Sequence, residues 1–464
     1  MDDSFPSERK PEQTPGQGNA QALFQQRKRL LMMGSTYALG TFNDNFFKQA
    51  ACLLALSLGF KEIQGEAGII FALPFVLFSA WAGWLADRLP KSSIVVWAKG
   101  LEVLAMCFGA YGLIAMNWHF ILAMVGTMGL QSTLFSPALN GSIPETVKSQ
   151  AVPKVNGIMK LATTLTILMG LALAGLCLNQ TWGQHWLPED ISFGRVLVAG
   201  MALLAALLGF IAAFFISPSK RLGTHTKFPL AGPLDSLRDC WLLRNEPSLG
   251  LVLMAEAYFY FVASLAVFLI NDLGETQLHF SFTKTSLIPV ALMLGLCAGS
   301  VLAGRGSPLS WQKTMLPAGA GMGIGMLLAG FAPQFSGDMQ FAWLAIIFMF
   351  TGFAGGLYLI PLTSFIQVRP FAEEKGRVLG ISGFASFTGI IISGKCYNHI
   401  AASTLPSTGL MLSGTGTLLV ALLFGACIFC IQKSGFRVDP ALRFNLEKVT
   451  LTGSVFKSTR TTRN

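Results

Sequence analysis

The chain has 464 residues, 52% of them hydrophobic and 12% charged, with a mean hydropathy of +0.57. Soluble domains carry roughly 25% charged residues, so this chain lacks the polar surface to coat itself in water. Its net charge of +10 comes from basic residues placed between apolar blocks and in the tails, which membrane topology explains without nucleic acid as a partner.

Residues 1–29 are polar and rich in Pro, Gln and Glu, and read as a disordered cytoplasmic tail. They contain no short apolar core and no small-residue cleavage site, so no signal peptide is expected. Apolar blocks close to the ~20 residues that a bilayer core requires then recur along the chain. Their breaks place six spans at roughly 30–58, 67–85, 93–116, 119–136, 157–179 and 193–216. Six more follow at roughly 247–269, 282–303, 314–331, 340–361, 377–396 and 408–432. The expected fold is therefore an all-α membrane protein of twelve transmembrane helices in two six-helix bundles, residues 30–216 and 247–432. A central cytoplasmic loop, 217–246, joins them, and a basic cytoplasmic tail, 433–464, ends the chain.

Lys and Arg concentrate on one side of this scheme, from Arg27, Lys28 and Arg29 through Lys220, Arg221 and Arg369 to the C-terminal tail. The other side holds Lys61, Arg195, Lys284 and Lys395, each near a span end from which it can snorkel. Both termini are expected in the cytoplasm.

The first span carries "GTFNDNFFKQA", residues 40–50, with Asn43, Asp44, Asn45 and Lys48 at membrane depth. A charge at the centre of a membrane helix costs at least ~2.5 kcal/mol on insertion scales. At 100° per residue, Tyr37, Thr41, Asp44 and Lys48 share one face. One reading is a polar stripe lining a central cavity; the other is an i, i+4 pair in which Asp44 and Lys48 neutralise one another. After the second span, "GWLADRLPKS" sets Gly83, Asp87, Arg88 and Lys91 in a short basic loop. In the third span Lys99 and Glu102 are spaced as a self-satisfied pair, and Lys160 near the start of the fifth can snorkel inward. Glu256 in the seventh has no local partner, so it is a candidate to line the cavity or bind a proton.

Two further motifs read as ordinary packing or loop residues. Cys427 and Cys430 form C-x-x-C inside the last span, without companion ligands. "HWLPED", residues 185–190, has the H-x4-D spacing of glycerolipid acyltransferases but lies in a short outward loop without downstream acyltransferase motifs. No P-loop, zinc spacing or nucleophile elbow is present. No enzyme activity, cofactor or metal is expected.

The two halves echo each other. "IPETVKSQAVPKVNGIMKLATT" follows the fourth span and "VRPFAEEKGRVLGISGFASFTG" the tenth. Each reads Pro, acid, base, Val, Gly, then a helix of small residues. Related halves with a site at their midplane interface mark secondary transporters.

"GWLADRLPKS" resembles the loop motif of the major facilitator superfamily, and its second-half counterpart "AGRGSPLSWQK" keeps Gly304 and Arg305 without the acid. "GTFNDNFFKQA", "SPALNGSIPE" (136–145) and "PLTSFIQVRPFAEEKGRVLGISGF" (361–384) are similar to the lysophospholipid transporter branch of that superfamily. That branch includes stand-alone transporters and the membrane domain of fused acyltransferase–acyl-ligase proteins. Gln367, Glu374, Gly376 and Arg377 carry the second-half match.

The resemblance implies alternating-access translocation of lysophospholipids, such as lysophosphatidylethanolamine, across a bacterial inner membrane. Asp44 would meet the headgroup amine and Lys48 its phosphate, with Tyr37, Thr41, Asn43, Asn45 and Glu256 as further candidates for the site. Among stand-alone members a basic residue in the seventh span helps form the site, and residues 247–269 contain none. Expected partners are membrane lipids and a lysophospholipid or small amphiphilic substrate, with an acyltransferase as a further candidate and the chain acting as a monomer. Proton-coupled efflux or antiport of small amphiphiles remains open as a second function, and a non-transporting partner of an acyltransferase as a third.

Overall fold

The computed structural model describes residues 15–146, 152–216, 232–234, 238, 246–305, 311–369 and 375–433. Twelve long helices and no strand occur among the described residues. In chain order they are α1 (Pro15–Ser57), α2 (Lys61–Arg88), α3 (Lys91–Ile114), α4 (Trp118–Thr146), α5 (Val152–Leu178) and α6 (Phe193–Phe214). The second six are α7 (Pro247–Asp272), α8 (Phe282–Ala303), α9 (Trp311–Ala329), α10 (Asp338–Val368), α11 (Lys375–Ser403) and α12 (Pro406–Lys433). Eleven are long and apolar enough to cross a membrane; α1 alone falls short, diluted by its own polar residues. It nevertheless runs inside the first bundle against α5 and α6, so its charges meet protein rather than lipid.

Most helices outrun their expected spans because polar turns continue them beyond the hydrocarbon depth. The largest departure is at the N-terminus, where residues 15–29, expected as disordered tail, are the first turns of α1. Once the apolar part of α1 has nucleated, adding Gln, Ala, Leu, Lys and Arg turns costs little. At 43 residues and 1.5 Å per residue, α1 is roughly 64 Å long, about twice a bilayer core. Residues 1–14, most of the 217–246 loop, and the tail beyond Lys433 lie outside the described residues.

Odd-numbered helices run from the face carrying the N-terminus of α1, the tail face, to the opposite face; even-numbered helices return. The apolar cores respect the two halves. One cluster is built wholly from residues 249–428, around Phe259, Leu269, Phe348 and Tyr358. Two others are built from residues 33–216, around Phe46 and Met124 and around Ile94 and Phe135. Within the second half α8 and α10 pack backbone to backbone. A Cβ added at Gly295 or Gly299 would fall onto the Met349 or Phe353 carbonyl.

The halves meet near the opposite face. There α2 packs on α11 and α5 on α8. A Cβ at Gly394 of α11 would lie 2.5 Å from the Gly65 carbonyl oxygen of α2. Asn179, just after α5, donates to Thr283 Oγ1 of α8 at 2.7 Å. Near mid-depth the Phe75 ring of α2 stacks on Phe387 of α11, centroids 3.8 Å apart and planes within 10°. Nearer the tail face, Cβ atoms at Gly83, Gly380 and Gly383 would meet nothing within 4 Å. Among the described residues the halves are closed at the opposite face and separate towards the tail face.

Candidate functional site

The polar stretch of α1 divides its groups between two neighbours. Phe42, Phe46, Phe47 and Ala50 are buried in the first-half core. Tyr37, Thr41 and Asp44, on the face predicted from their spacing, line a cavity of about 150 Å³. Its other walls are Gly40, Phe75 of α2, Lys99 of α3, and Gln131, Ser132, Phe135 and Ser136 of α4.

Ser132 Oγ donates to Asp44 Oδ2 at 2.9 Å, and Gln131 Nε2 donates to Ser132 Oγ at 2.8 Å. Asp44 Oδ1 is buried without a hydrogen-bond partner. Lys48, one turn further along, forms no ion pair with Asp44 among the described residues; its ammonium lies 4.5 Å from the centroid of the Phe71 ring. The i, i+4 neutralising pair is therefore not made. An ammonium over a ring face is held by the ring quadrupole, by ~0.5–2 kcal/mol, and is not locked to an acid.

The two asparagines point elsewhere. Asn43 is fully buried and donates to Glu102 Oε1 of α3 at 3.0 Å. Asn45 Nδ2 turns back onto the Thr41 carbonyl at 2.8 Å, and Thr41 Oγ1 donates to the Tyr37 carbonyl at 2.9 Å. Glu102 also accepts from Lys99 at 2.5 Å, both side chains being essentially sealed from solvent. Lys99 and Glu102 thus form the pair their spacing predicts. The Lys99 ammonium crosses over Gly40, where an added Cβ would lie 2.5 Å from Nζ. It also sits 5.3 Å from the centroid of Phe135, on the cavity wall.

Glu256 of α7 is 4% exposed and accepts a short hydrogen bond from Ser382 Oγ of α11. It is held within the second half and does not line the α1 cavity. At the tail face Arg88 stacks over Trp84, 4.5 Å from the ring centroid, and Lys91 is nearly buried at the start of α3. Gly83 faces open space rather than a neighbouring helix. Gln367 is exposed near the end of α10. Glu374 and the side chains of Asp87, Lys160 and Arg377 lie outside the described residues, as does the surrounding of Gly376.

Several groups escaped the sequence reading. Gln131, Ser132, Phe135 and Ser136 fall at i, i+1, i+4 and i+5 in α4, and this polar stripe in an apolar span was the available signal. Arg369, directly after α10, bridges Glu246 just before α7, with Nη2 and Nε at 2.7 and 3.1 Å from Oε1. Only proximity in the fold joins residues 123 positions apart.

His185 and Asp190 stay in the loop before α6, where they border a shallow hollow with Glu189 and Arg195. Arg195 donates to the Leu113 and Asp190 carbonyls there. Among the described residues no group of three or more His, Cys, Asp or Glu is placed to hold a metal.

Known proteins resemble this chain in sequence or in fold. The chain is 24% identical over 410 residues to a lysophospholipid transporter, LplT, of Enterobacter sp. (strain 638), covering 87% of this chain and 96% of that one. It is 24% identical to the LplT of Photorhabdus laumondii over 310 residues, 67% of this chain and 70% of the relative. Among solved structures it is similar to the nucleoside transporter NupG, with a TM-score of 0.64 and 12% identity over 86% of this chain and 99% of that one. It is also similar to a bacterial homologue of the lysosomal transporter Spinster in an inward-facing conformation, with a TM-score of 0.63 and 14% identity over 90% and 99%. A family model described as the Major Facilitator Superfamily matches residues 30–394, and the chain, a multi-pass membrane protein, belongs to that family.

Proposed function

We propose that the chain carries lysophospholipids across a bacterial inner membrane by alternating access, with its tail face and both termini in the cytoplasm. The observation that carries this reading is the carboxylate of Asp44, set in a cavity wall with one oxygen buried and unpartnered. A zwitterionic headgroup supplies what that oxygen lacks, an ammonium donor. Its phosphate has two cations within the same bundle, Lys48 over Phe71 and Lys99 at the cavity wall. The acyl chain then runs against Phe75, Phe135 and the apolar flanks of the gap between the halves. Likeness to the two lysophospholipid transporters supports the same cargo. The sidedness follows from Lys and Arg gathering on the tail face. The lipid crosses chemically unchanged, so no catalytic group is required.

The test is uptake of labelled lysophosphatidylethanolamine by spheroplasts lacking their own transporter, with equal expression of parent, Asp44→Ala and Asp44→Asn. Uptake by the parent and its loss in both variants is the expected result. No uptake above background by the expressed parent would remove this lipid as cargo.

A further inference from the structure

The second half carries a pocket apart from the cavity beside α1. It is a hollow of about 320 Å³, floored by Tyr258, Val262 and Leu265 of α7 and walled by Ile400 of α11 and Leu412 and Thr417 of α12. Helix α7 packs on both α11 and α12, whereas those two barely meet, and the hollow is the gap they leave. It shares no residue with the α1 cavity. A Cβ added at Gly416, in its wall, would meet nothing within 4 Å.

The mouth of the hollow faces the bilayer. At about 100° per residue, three stripes succeed one another around α11. Gly394 and Asn398 press on Gly65 of α2, Cys396 and Ile400 wall the hollow, and the exposed Lys395 and His399 fall between them. The two basic residues therefore border the mouth on its lipid side. Neither forms an ion pair among the described residues. Leu412, on the α12 lip, is 55% exposed.

Among the described residues, three hydroxyls line the hollow and two are answered. Tyr258 donates to Thr417 Oγ1 at 3.2 Å, and Thr417 donates to the Ser413 carbonyl at 2.8 Å. Ser413 Oγ is buried and has no partner. An unmet hydroxyl at membrane depth is unfavourable, and hydrocarbon offers no water to meet it. With 28 residues, α12 is ~42 Å long, about a full bilayer with its headgroups. Ser413 lies ~10 Å along it from Pro406, close beneath the headgroups of the leaflet at the opposite face. The acceptor available at that level is the ester carbonyl of a lipid chain.

We propose that the hollow is a binding site for a resident diacyl phospholipid of that leaflet. One acyl chain lies against Tyr258, Val262 and Leu265, its ester carbonyl accepts from Ser413, and its phosphate is met by Lys395 and His399. The volume and the apolar wall with one free polar group suit such a ligand. Lys395 reaches the phosphate by snorkelling. The lipid fills the space between α11 and α12 and is not cargo, so the site stands whichever solute the protein carries.

The probe is phosphatidylglycerol with a diazirine on one acyl chain, added at low mole ratio to the full-length protein in detergent, so that bulk bilayer contacts do not mask a site. Mass spectrometry maps the adducts formed on irradiation. Those around the hollow are expected to outnumber those on Leu204, Leu208 and Ile211, an exposed apolar face of α6, by at least roughly tenfold. Gly416→Leu projects a side chain into the hollow from an unobstructed position. It should cut the pocket adducts by a similar factor and leave those on α6. Lys395→Gln with His399→Gln, on the surface, should cut them about fivefold, the scale for one basic residue beside lipid phosphate. Excess lysophosphatidylethanolamine should leave them in place. Pocket adducts no more frequent than those on α6, or unchanged in both variants, overturn the site. Displacement by the lysolipid as readily as by phosphatidylglycerol would make the hollow a seat for cargo and overturn the resident lipid. Should Gly416→Leu fail to fold, the surface double variant decides by the same criterion.

Discussion

Ser132 holds Asp44 by one oxygen and leaves the other, Oδ1, buried and unanswered. A buried acceptor without a donor costs ~1–3 kcal/mol or more when charged. A ligand that supplies the donor recovers that cost. This is why Asp44, rather than the fully engaged Glu102, is the group to test first.

Asp44→Asn keeps the shape but removes the charge that attracts an ammonium, and is expected to lower uptake at least tenfold, a loss of ~1.4 kcal/mol or more in binding. Ser132→Ala removes a hydrogen bond to a charged group, worth ~1.5–3 kcal/mol, but leaves the carboxylate in place. It should raise the half-saturating lipid concentration several-fold without abolishing transport. Concentration-dependent uptake separates the two; equal losses would place Ser132 in direct contact with the lipid.

The Lys99–Glu102–Asn43 chain gives a stability prediction. Glu102→Gln strands a buried ammonium and should destabilise the fold by ~3–5 kcal/mol. The paired apolar change Lys99→Met with Glu102→Leu should cost less than Glu102→Gln, because it strands no charge. Melting of the purified proteins in detergent orders the three. Gly40→Val belongs in the same series, since its side chain must displace the Lys99 ammonium that crosses Gly40.

How much of this was legible from the chain alone depends on distance along it. The spans and the Tyr37–Thr41–Asp44 face follow from local periodicity, which a single helix carries in its own sequence. So does the Lys99–Glu102 pair. The turning of Asn43 towards α3, the seating of Lys48 on Phe71 and the isolation of Glu256 from the α1 cavity depend on how each helix is rotated. Rotation is set by packing against neighbours remote in sequence, so the two asparagines flanking Asp44 read as cavity residues when they are not. The Lys61–Asp272 and Arg369–Glu246 pairs were invisible for the same reason: each joins groups from different helices, one pair across the two halves.

Arg369 and Glu246 are expected to be coupled. Both are nearly buried at the tail face, at 10% and 6% exposure. A double-mutant cycle with Arg369→Gln and Glu246→Gln should give an interaction energy within the ~0.5–3 kcal/mol seen for directly bonded neighbours. Additive losses would mean that the pair contributes nothing beyond its separate contacts.

Two glycines on α2 separate folding from transport. At Gly65 an added Cβ would fall against Asn398 and lie 2.6 Å from the Gly394 carbonyl oxygen, whereas at Gly83 it meets nothing within 4 Å. Gly65→Leu therefore opposes the observed closure of the opposite face and should lower the melting temperature, while Gly83→Leu fits this conformation without strain. Transport requires the opposite face to open and the tail face to close, bringing the bare ends of α2 and α11 together. A leucine at Gly83 then stands where Gly380 and Gly383 leave room for backbone alone. Gly83→Leu should melt within about 2 °C of the parent, as substitutions outside packed regions usually change stability by at most ~0.5 kcal/mol. Its uptake should nevertheless fall by at least roughly tenfold, the effect of holding one of two required states ~1.4 kcal/mol out of reach. Full transport with an unchanged melting temperature would mean that the tail face closes along a seam other than α2 and α11.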